Sequence, residues 1–222
     1  MNIIKSKSET QHIVAISDLL NKLIPRVIEK KGAVTLALSG GKSPIPLFKH
    51  LSMLSLPWDK VTIVLVDERI INIENLDSNE NLVRTYLLQN MASSAKFIGL
   101  MDQDLDNILR LANTNIPTID IALLGMGNDG HTASIFPDCK ELELALNPQN
   151  KDTYMLANPV SAKYQRVTLT LNALKKIKCL IVSINGEEKL KIIEEAGKKE
   201  NKNYPISYLI GQRTDINVYW HK

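Results

Sequence analysis

Four near-continuous apolar runs, Ala33-Val-Thr-Leu-Ala-Leu38, Val61-Thr-Ile-Val-Leu-Val66, Ile119-Asp-Ile-Ala-Leu-Leu124 and Cys179-Leu-Ile-Val-Ser-Ile184, punctuate this chain. Strands that are apolar on both faces need cover on both faces. With helical patterns between them, the runs restrict the fold to a largely parallel sheet between helical layers. The first helix is expected where Ile13, Ile16, Leu20, Leu23 and Val27 share a face, closed by Gly32 after Lys30-Lys31. A short helix follows from about Pro44, and another is opened by Asp77-Ser-Asn-Glu80, with Leu82, Tyr86 and Met91 among its apolar positions. Helices near 103 to 113 and 187 to 200 complete the set. Further strands are expected at Lys96-Phe-Ile-Gly-Leu100, Arg166-Val-Thr-Leu-Thr-Leu171 and Ile216-Asn-Val-Tyr-Trp220. No linker, repeat or low-complexity segment divides the 222 residues, so one α/β domain over residues 1–222, an αβα sandwich with a mostly parallel sheet, is the expected organisation.

Charge and cysteine usage narrow the partners. A net charge of +3 with scattered lysines gives no basic stripe for nucleic acid, yet leaves phosphorylated small molecules compatible. Cys139 and Cys179 are the two cysteines, far apart and without a Cys/His cluster, which argues against a disulfide scaffold or a structural metal site. No signal-like segment opens the sequence and no run of about 18 uncharged apolar residues occurs, so a cytoplasmic protein with no membrane partner is expected. Oligomeric state is not legible.

In an open α/β sheet, ligands bind beyond the carboxyl ends of the parallel strands. Three strands here end in reactive residue types. The first runs into Ser39-Gly40-Gly41-Lys42-Ser43-Pro44, where two glycines let backbone N–H groups turn toward an anion, Ser39 and Ser43 supply hydroxyls, and Pro44 opens a helix with its positive end toward the ligand. It is not a nucleotide P-loop, because that pattern needs glycine where this chain has Leu36. The second strand runs into Asp67-Glu68-Arg69, whose Asp67 and Arg69 are candidate substrate contacts. The third runs into Gly125-Met-Gly-Asn-Asp-Gly-His-Thr-Ala-Ser134.

That third loop contains GxGxxG, but Asp129 within it would oppose a pyrophosphate, and the stretch about 20 residues on, Leu144-Ala-Leu-Asn-Pro-Gln149, lacks the acidic residue a dinucleotide site uses. A glycine turn that presents His131 accounts for more of the residues, with Gly127 part of the substrate wall. His12, His50 and His221 fall on helices or at the terminus and are expected to be surface or packing residues.

Taken together, Leu38-Ser-Gly-Gly-Lys-Ser-Pro44, Val66-Asp-Glu-Arg69 with Asp77-Ser-Asn79 and Arg84, Leu124 to Pro137, Arg166-Val-Thr-Leu-Thr-Leu171 and Gly186-Glu-Glu-Lys189 resemble the 6-phosphogluconolactonase family, which shares ancestry with glucosamine-6-phosphate deaminases. The matches run in order from near residue 33 to near 210. The segment Ile70 to Leu76 departs from the family in lacking a proline and a histidine often found there. The resemblance implies hydrolysis of 6-phosphoglucono-δ-lactone to 6-phosphogluconate, in the oxidative pentose phosphate pathway, without a cofactor or metal. His131 would be the general base, a task suited to an imidazole at neutral pH. By resemblance, the phosphate of the lactone would meet the Ser39 to Ser43 loop with help from Arg166 and Lys189, while Asp67 would contact sugar hydroxyls or orient the attacking water. Backbone N–H groups of the glycine loops, with Arg69, would serve the oxyanion.

Two other readings use the same loops. An amino-sugar phosphate deaminase/isomerase would carry a glutamate five residues after the histidine, where this chain has Phe136. A non-catalytic sugar-phosphate sensor would normally carry a DNA-binding segment, and the region before Ala33 offers one helix and no helix-turn-helix.

Overall fold

The computed structural model describes residues 1–102, 104–211 and 215–222. Its strands are β1 (Asn2–Ser6), β2 (Val34–Leu38), β3 (Val61–Leu65), β4 (Asp67–Arg69), β5 (Lys96–Ile98), β6 (Ile121–Leu124), β7 (Tyr154–Ala157), β8 (Arg166–Leu169), β9 (Cys179–Asn185) and β10 (Asn217–His221). Its helices are α1 (Glu9–Lys31), α2 (Ile45–Ser52), α3 (Asn79–Tyr86), α4 (Leu105–Asn115), α5 (Leu142–Leu146), α6 (Leu171–Lys176), α7 (Glu187–Ala196) and α8 (Ser207–Ile210). Seven strands form a parallel sheet in the order β1-β10-β9-β6-β2-β3-β5, flanked by helices, as the apolar runs require. The helix expected near 103 to 113 is α4, with residue 103 outside the described residues.

Local signals set the element ends. Ser8 caps α1 by accepting from the Gln11 N–H, and Gly32 ends it at φ +82°, where a side chain would be strained. The buried stripe Ile16, Leu20 and Ile24 faces the sheet, with α1 packed across β1, β2 and β10. Every residue of β2 is buried, and Trp58, Tyr154 and Phe48 are the bulkiest fully buried side chains in the same core.

The architecture departs from the sequence reading in one region. Asp67–Arg69 is not simply the loop after a strand, and Arg166–Leu169 does not join the main sheet. Together with β7 they make a second, antiparallel sheet ordered β4-β8-β7. The switch occurs at Val66, whose N–H donates to Leu38 O in the main sheet (2.9 Å) while its own carbonyl accepts from Leu169 of the small one (2.9 Å). Tyr154 Oη donates to Leu65 O (2.6 Å) and ties the two sheets at the same level. The strand expected to run to Leu171 stops at Leu169 because Thr170 turns to cap α6, accepting from the Ala173 N–H. Strands β1 and β7 were not expected from the sequence.

Glu68 fixes the geometry of this junction. Its fully buried carboxylate accepts from the N–H groups of Arg69 (2.7 Å), Asn79 (2.8 Å) and Glu80 (2.7 Å) and from Ser78 Oγ (3.1 Å). Burial pushes its pKa up, opposed by those four donors. A carboxylate is acceptor-only and suits the N-terminus of α3, so β4 is clamped to that helix.

Candidate active site

The carboxyl ends of the central strands converge on a cleft of about 240 Å³. Its walls are Ser39, Gly40, Gly41 and Ser43 from the loop after β2, Asp67 and Arg69 from β4, and Asn79 from the start of α3. Gly125, Gly127 and His131 come from the loop after β6, Ser183 from β9, and Lys189 from α7. The cleft therefore gathers most of the residues singled out from the sequence. Two are not among the lining residues: Lys42, which is exposed on its loop, and Arg166, which is buried directly opposite Arg69 in the β4–β8 ladder.

The His131 loop is built by its glycines. Gly127 N–H donates to His131 O (2.9 Å), and Gly130 N–H donates to Gly127 O (3.0 Å). Gly130 sits at φ +72°, and a Cβ there would lie 2.8 Å from Tyr204 atoms. This turn brings Asp129 back over the histidine, with Oδ1 at 3.2 Å from His131 N and 2.6 Å from Nδ1. Burial raises the Asp129 carboxyl, but the hydrogen bond and charge of His131 outweigh it and hold its pKa below the usual value. An ionised carboxylate only accepts, so Nδ1 carries the proton and Nε2 is the basic nitrogen. Phe136 stacks on the imidazole at 3.9 Å and 23°, fixing the ring plane.

Around the dyad, polar groups await partners. Ser39 Oγ, Arg69 Nε and Asn79 Oδ1 are buried and unpartnered, as is Nη1 of Arg166, the strand partner of Arg69. Buried polar atoms are almost always hydrogen-bonded, so four at one site ask for a ligand. Arginine nitrogens and a serine hydroxyl suit anionic oxygens, and an amide oxygen suits a hydroxyl. Asn79 is oriented for this by donating through Nδ2 to Asp67 O (2.8 Å). Asp67 itself is buried and accepts from Ser134 Oγ (2.6 Å), while Ser134 N–H donates to Thr168 Oγ1 (2.9 Å), so the His131 loop is stitched to the small sheet. Arg69 donates through Nη1 to Asp77 O. Burial lowers the Lys189 pKa, with Asp129 and Glu188 acting against it. Burial and the neighbouring Arg69 charge lower that of Arg166.

The sequence reading missed Asp129 as the partner of His131, although its position two residues before a histidine in a glycine turn was the available signal. It also missed Ser183, which sits in an apolar strand and gives no signal, and Asn79 as a cleft residue. Among the described residues no group of three His, Cys, Asp or Glu side chains could hold a metal ion, and no helix is long and apolar enough to cross a membrane.

Comparison with known proteins identifies the family. The family model described as glucosamine-6-phosphate isomerases/6-phosphogluconolactonase matches residues 7–220. The 6-phosphogluconolactonase of Neisseria meningitidis is 35% identical over 214 residues, covering 93% of each chain. That of Helicobacter pylori is 38% identical over 215 residues, covering 94% of this chain and 92% of the relative. The crystal structure of a 6-phosphogluconolactonase from Shewanella baltica superposes with a TM-score of 0.93 at 31% identity, covering 100% of this chain and 98% of that one. Matched along nearly its whole length in both sequence and fold, the chain belongs to the glucosamine-6-phosphate isomerase/6-phosphogluconolactonase family.

Proposed function

We propose that this protein hydrolyses 6-phosphoglucono-δ-lactone to 6-phosphogluconate, the lactone-opening step of the pentose phosphate pathway, with His131 as general base. The observation that carries the mechanism is the Asp129–His131 pair at the wall of a cleft whose remaining polar groups lack partners. Relatives bearing the lactonase name over more than nine-tenths of the chain support the substrate.

In this scheme a water attacks the lactone carbonyl carbon as His131 Nε2 takes its proton, and Asp129 steadies the resulting imidazolium. The carbonyl oxygen becomes an oxyanion, met by backbone N–H groups of the glycine loops and by Arg69. Collapse breaks the bond from the carbonyl carbon to the ring oxygen, and the imidazolium returns its proton to that oxygen. The product is an open-chain carboxylic acid, which ionises and releases one proton. The phosphate lies against the Ser39 to Ser43 loop with Lys189, and Asp67 meets a sugar hydroxyl or the water. Arg166, the register partner of Arg69 across β4 and β8, adds its buried positive charge to the hold on the phosphate. All of these are protein groups, and the scheme calls on no cofactor.

Phe136 favours lactone opening over amino-sugar deamination. It occupies the position where the deaminase pattern has a glutamate, and its ring packs against His131 without offering a proton acceptor. The test is acid release from freshly generated 6-phosphogluconolactone at controlled pH, against the spontaneous blank. Wild-type protein should accelerate it, and His131→Ala should lower the enzymatic rate by roughly 100- to 10,000-fold. A folded His131→Ala protein with near-normal activity would refute the base assignment.

A further inference from the structure

Behind the cleft wall lies a polar cluster that the mechanism above does not use. Ser183 lines the cleft from β9, and on its other side Nε2 of His12 from α1 lies 2.7 Å from its hydroxyl oxygen. A second cavity of about 40 Å³, bordered by His12 and His221, meets the cleft at Ser43, Pro44 and Ser183. Ser183 therefore stands at the end of the cleft where the Ser39 to Ser43 loop turns into α2. His12 is 4% exposed, and its Nδ1 is fully buried without a partner.

That unpartnered nitrogen decides the proton positions. Burial, with His221 tilted against it at 4.6 Å, lowers the His12 pKa to about 4, so the ring is neutral at physiological pH and carries one N–H. An N–H at Nδ1 would be a buried donor with no acceptor, whereas a bare lone pair there is the lesser loss. The hydrogen therefore belongs on Nε2, where it is donated to Ser183 Oγ. A serine hydroxyl that is already accepting from one side keeps its own hydrogen for another acceptor. The Ser183 hydrogen is thus available to the cleft, next to the loop whose composition and backbone suit an anion.

We propose that Ser183 is a substrate-binding residue that donates its hydroxyl hydrogen to the phosphate of the substrate, and that His12 is the positioning residue that holds this hydroxyl as a donor. The assignment rests on the phosphorylated-lactone reading above. It gives the N-terminal helix a part in substrate choice, because α1 contributes His12 and no cleft-lining side chain.

Steady-state hydrolysis of 6-phosphogluconolactone and of plain gluconolactone by wild type, Ser183→Ala, His12→Leu and His12→Gln tests both roles. Ser183→Ala should raise KM for the phosphorylated lactone about tenfold or more, with kcat changed much less, so that preference for the phosphorylated substrate falls by a similar factor. His12→Leu should shift KM in the same direction, and His12→Gln, whose amide N–H replaces Nε2–H, should recover most of the loss. The double variant Ser183→Ala/His12→Leu should be little worse than Ser183→Ala alone, since His12 acts through Ser183. Inorganic phosphate, as a competitive inhibitor, should weaken by the same factor in Ser183→Ala. Equal penalties on both lactones, or an undiminished His12→Leu effect in the Ser183→Ala background, would show a structural role and overturn the proposal. Should His12→Leu fail to fold, an unchanged KM in folded Ser183→Ala would overturn it alone. A wild type that does not accelerate lactone opening would overturn the underlying functional reading as well.

Discussion

Replacing Gly127 by alanine should damage catalysis without touching a reacting group. A Cβ at this position would lie 2.3 Å from Cε1 and Nδ1 of His131 and 2.5 Å from Oδ1 of Asp129, against about 3.4 Å for ordinary contact. The dyad must therefore retreat by about 1 Å. Gly127 is outside the left-handed region, so the substitution adds steric displacement and no backbone strain. Misplacing a catalytic group by about 1 Å costs roughly 100-fold, or about 2.7 kcal/mol of transition-state stabilisation. We expect kcat/KM for 6-phosphogluconolactone to fall by about that factor, mostly in kcat, with a melting temperature close to wild type. Gly125→Ala is the matched comparison: two residues earlier on the same loop, its Cβ meets nothing within 4 Å. It should change kcat by less than about fivefold, the stiffening of the loop being common to both variants. Wild-type kcat in Gly127→Ala, or equal losses in the two variants, would refute the argument that this glycine exists to make room for the Asp129–His131 pair.

Asp129→Asn should lower kcat about 10- to 100-fold, because the amide neither secures the Nδ1–H tautomer nor steadies the imidazolium; an unchanged kcat would remove Asp129 from the mechanism. Glu68→Gln places an NH₂ group against backbone and hydroxyl donors that both carboxylate oxygens now accept, so urea unfolding should show a loss of about 2–3 kcal/mol. His12 predicts a pH dependence of stability. With its pKa lowered from 6.5 to about 4, the unfolded chain binds a proton in this window that the folded chain does not, so stability rises with pH from about 4 to 6.5, by about 3 kcal/mol in all. The groups around it are His221, Tyr219, Ser183 and Glu9. Urea unfolding at several pH values should lose that slope in His12→Gln, and an identical slope would exclude His12 as its source. Prolonged chelation followed by desalting should leave lactone hydrolysis unchanged; loss with rescue by a divalent cation would replace the scheme by a metal-bound nucleophile.

The main sheet was legible because its strands are buried on both faces, and continuous apolar runs such as Val61 to Val66 have few other uses. The small sheet was not. Its strands are three or four residues long, and two of them begin at buried charged residues, Asp67 and Arg166, the first held by Ser134 from a loop 67 positions away that no local pattern announces. Strand β1 lies at the sheet edge, and its five residues, Asn-Ile-Ile-Lys-Ser, show no apolar/polar alternation that would mark a strand. At the site, His131 could be singled out from its loop chemistry. The partnership with Asp129 depends on a turn set by the Gly127 and Gly130 hydrogen bonds, and the sequence shows Asp129 as a charge unsuited to a pyrophosphate without dividing the site roles between it, Asp67 and Arg69. Ser183 reads as one polar residue in a strand, and its significance comes from a helix 171 residues away in sequence.

The strand order also has a consequence for biosynthesis. In the sheet, β1 pairs with β10 alone, and the first matched residues, Asn2 and Asn217, are 215 positions apart. During translation β1 therefore waits, unpaired, through the production of every other strand, and β9, the inner neighbour of β10, is itself open along the β10 side until then. Contacts of such separation close late and slowly, so the nascent chain presents an unzipped sheet flank to the cell for most of its synthesis. The interior of the sheet, β6-β2-β3, involves shorter separations and can assemble while this flank is still missing. His221 and Ser183 belong to the late flank, and His12 is seated by the same closure. A ribosome-bound chain lacking β10 would thus already carry every residue that lines the cleft, with His12 not yet seated behind Ser183.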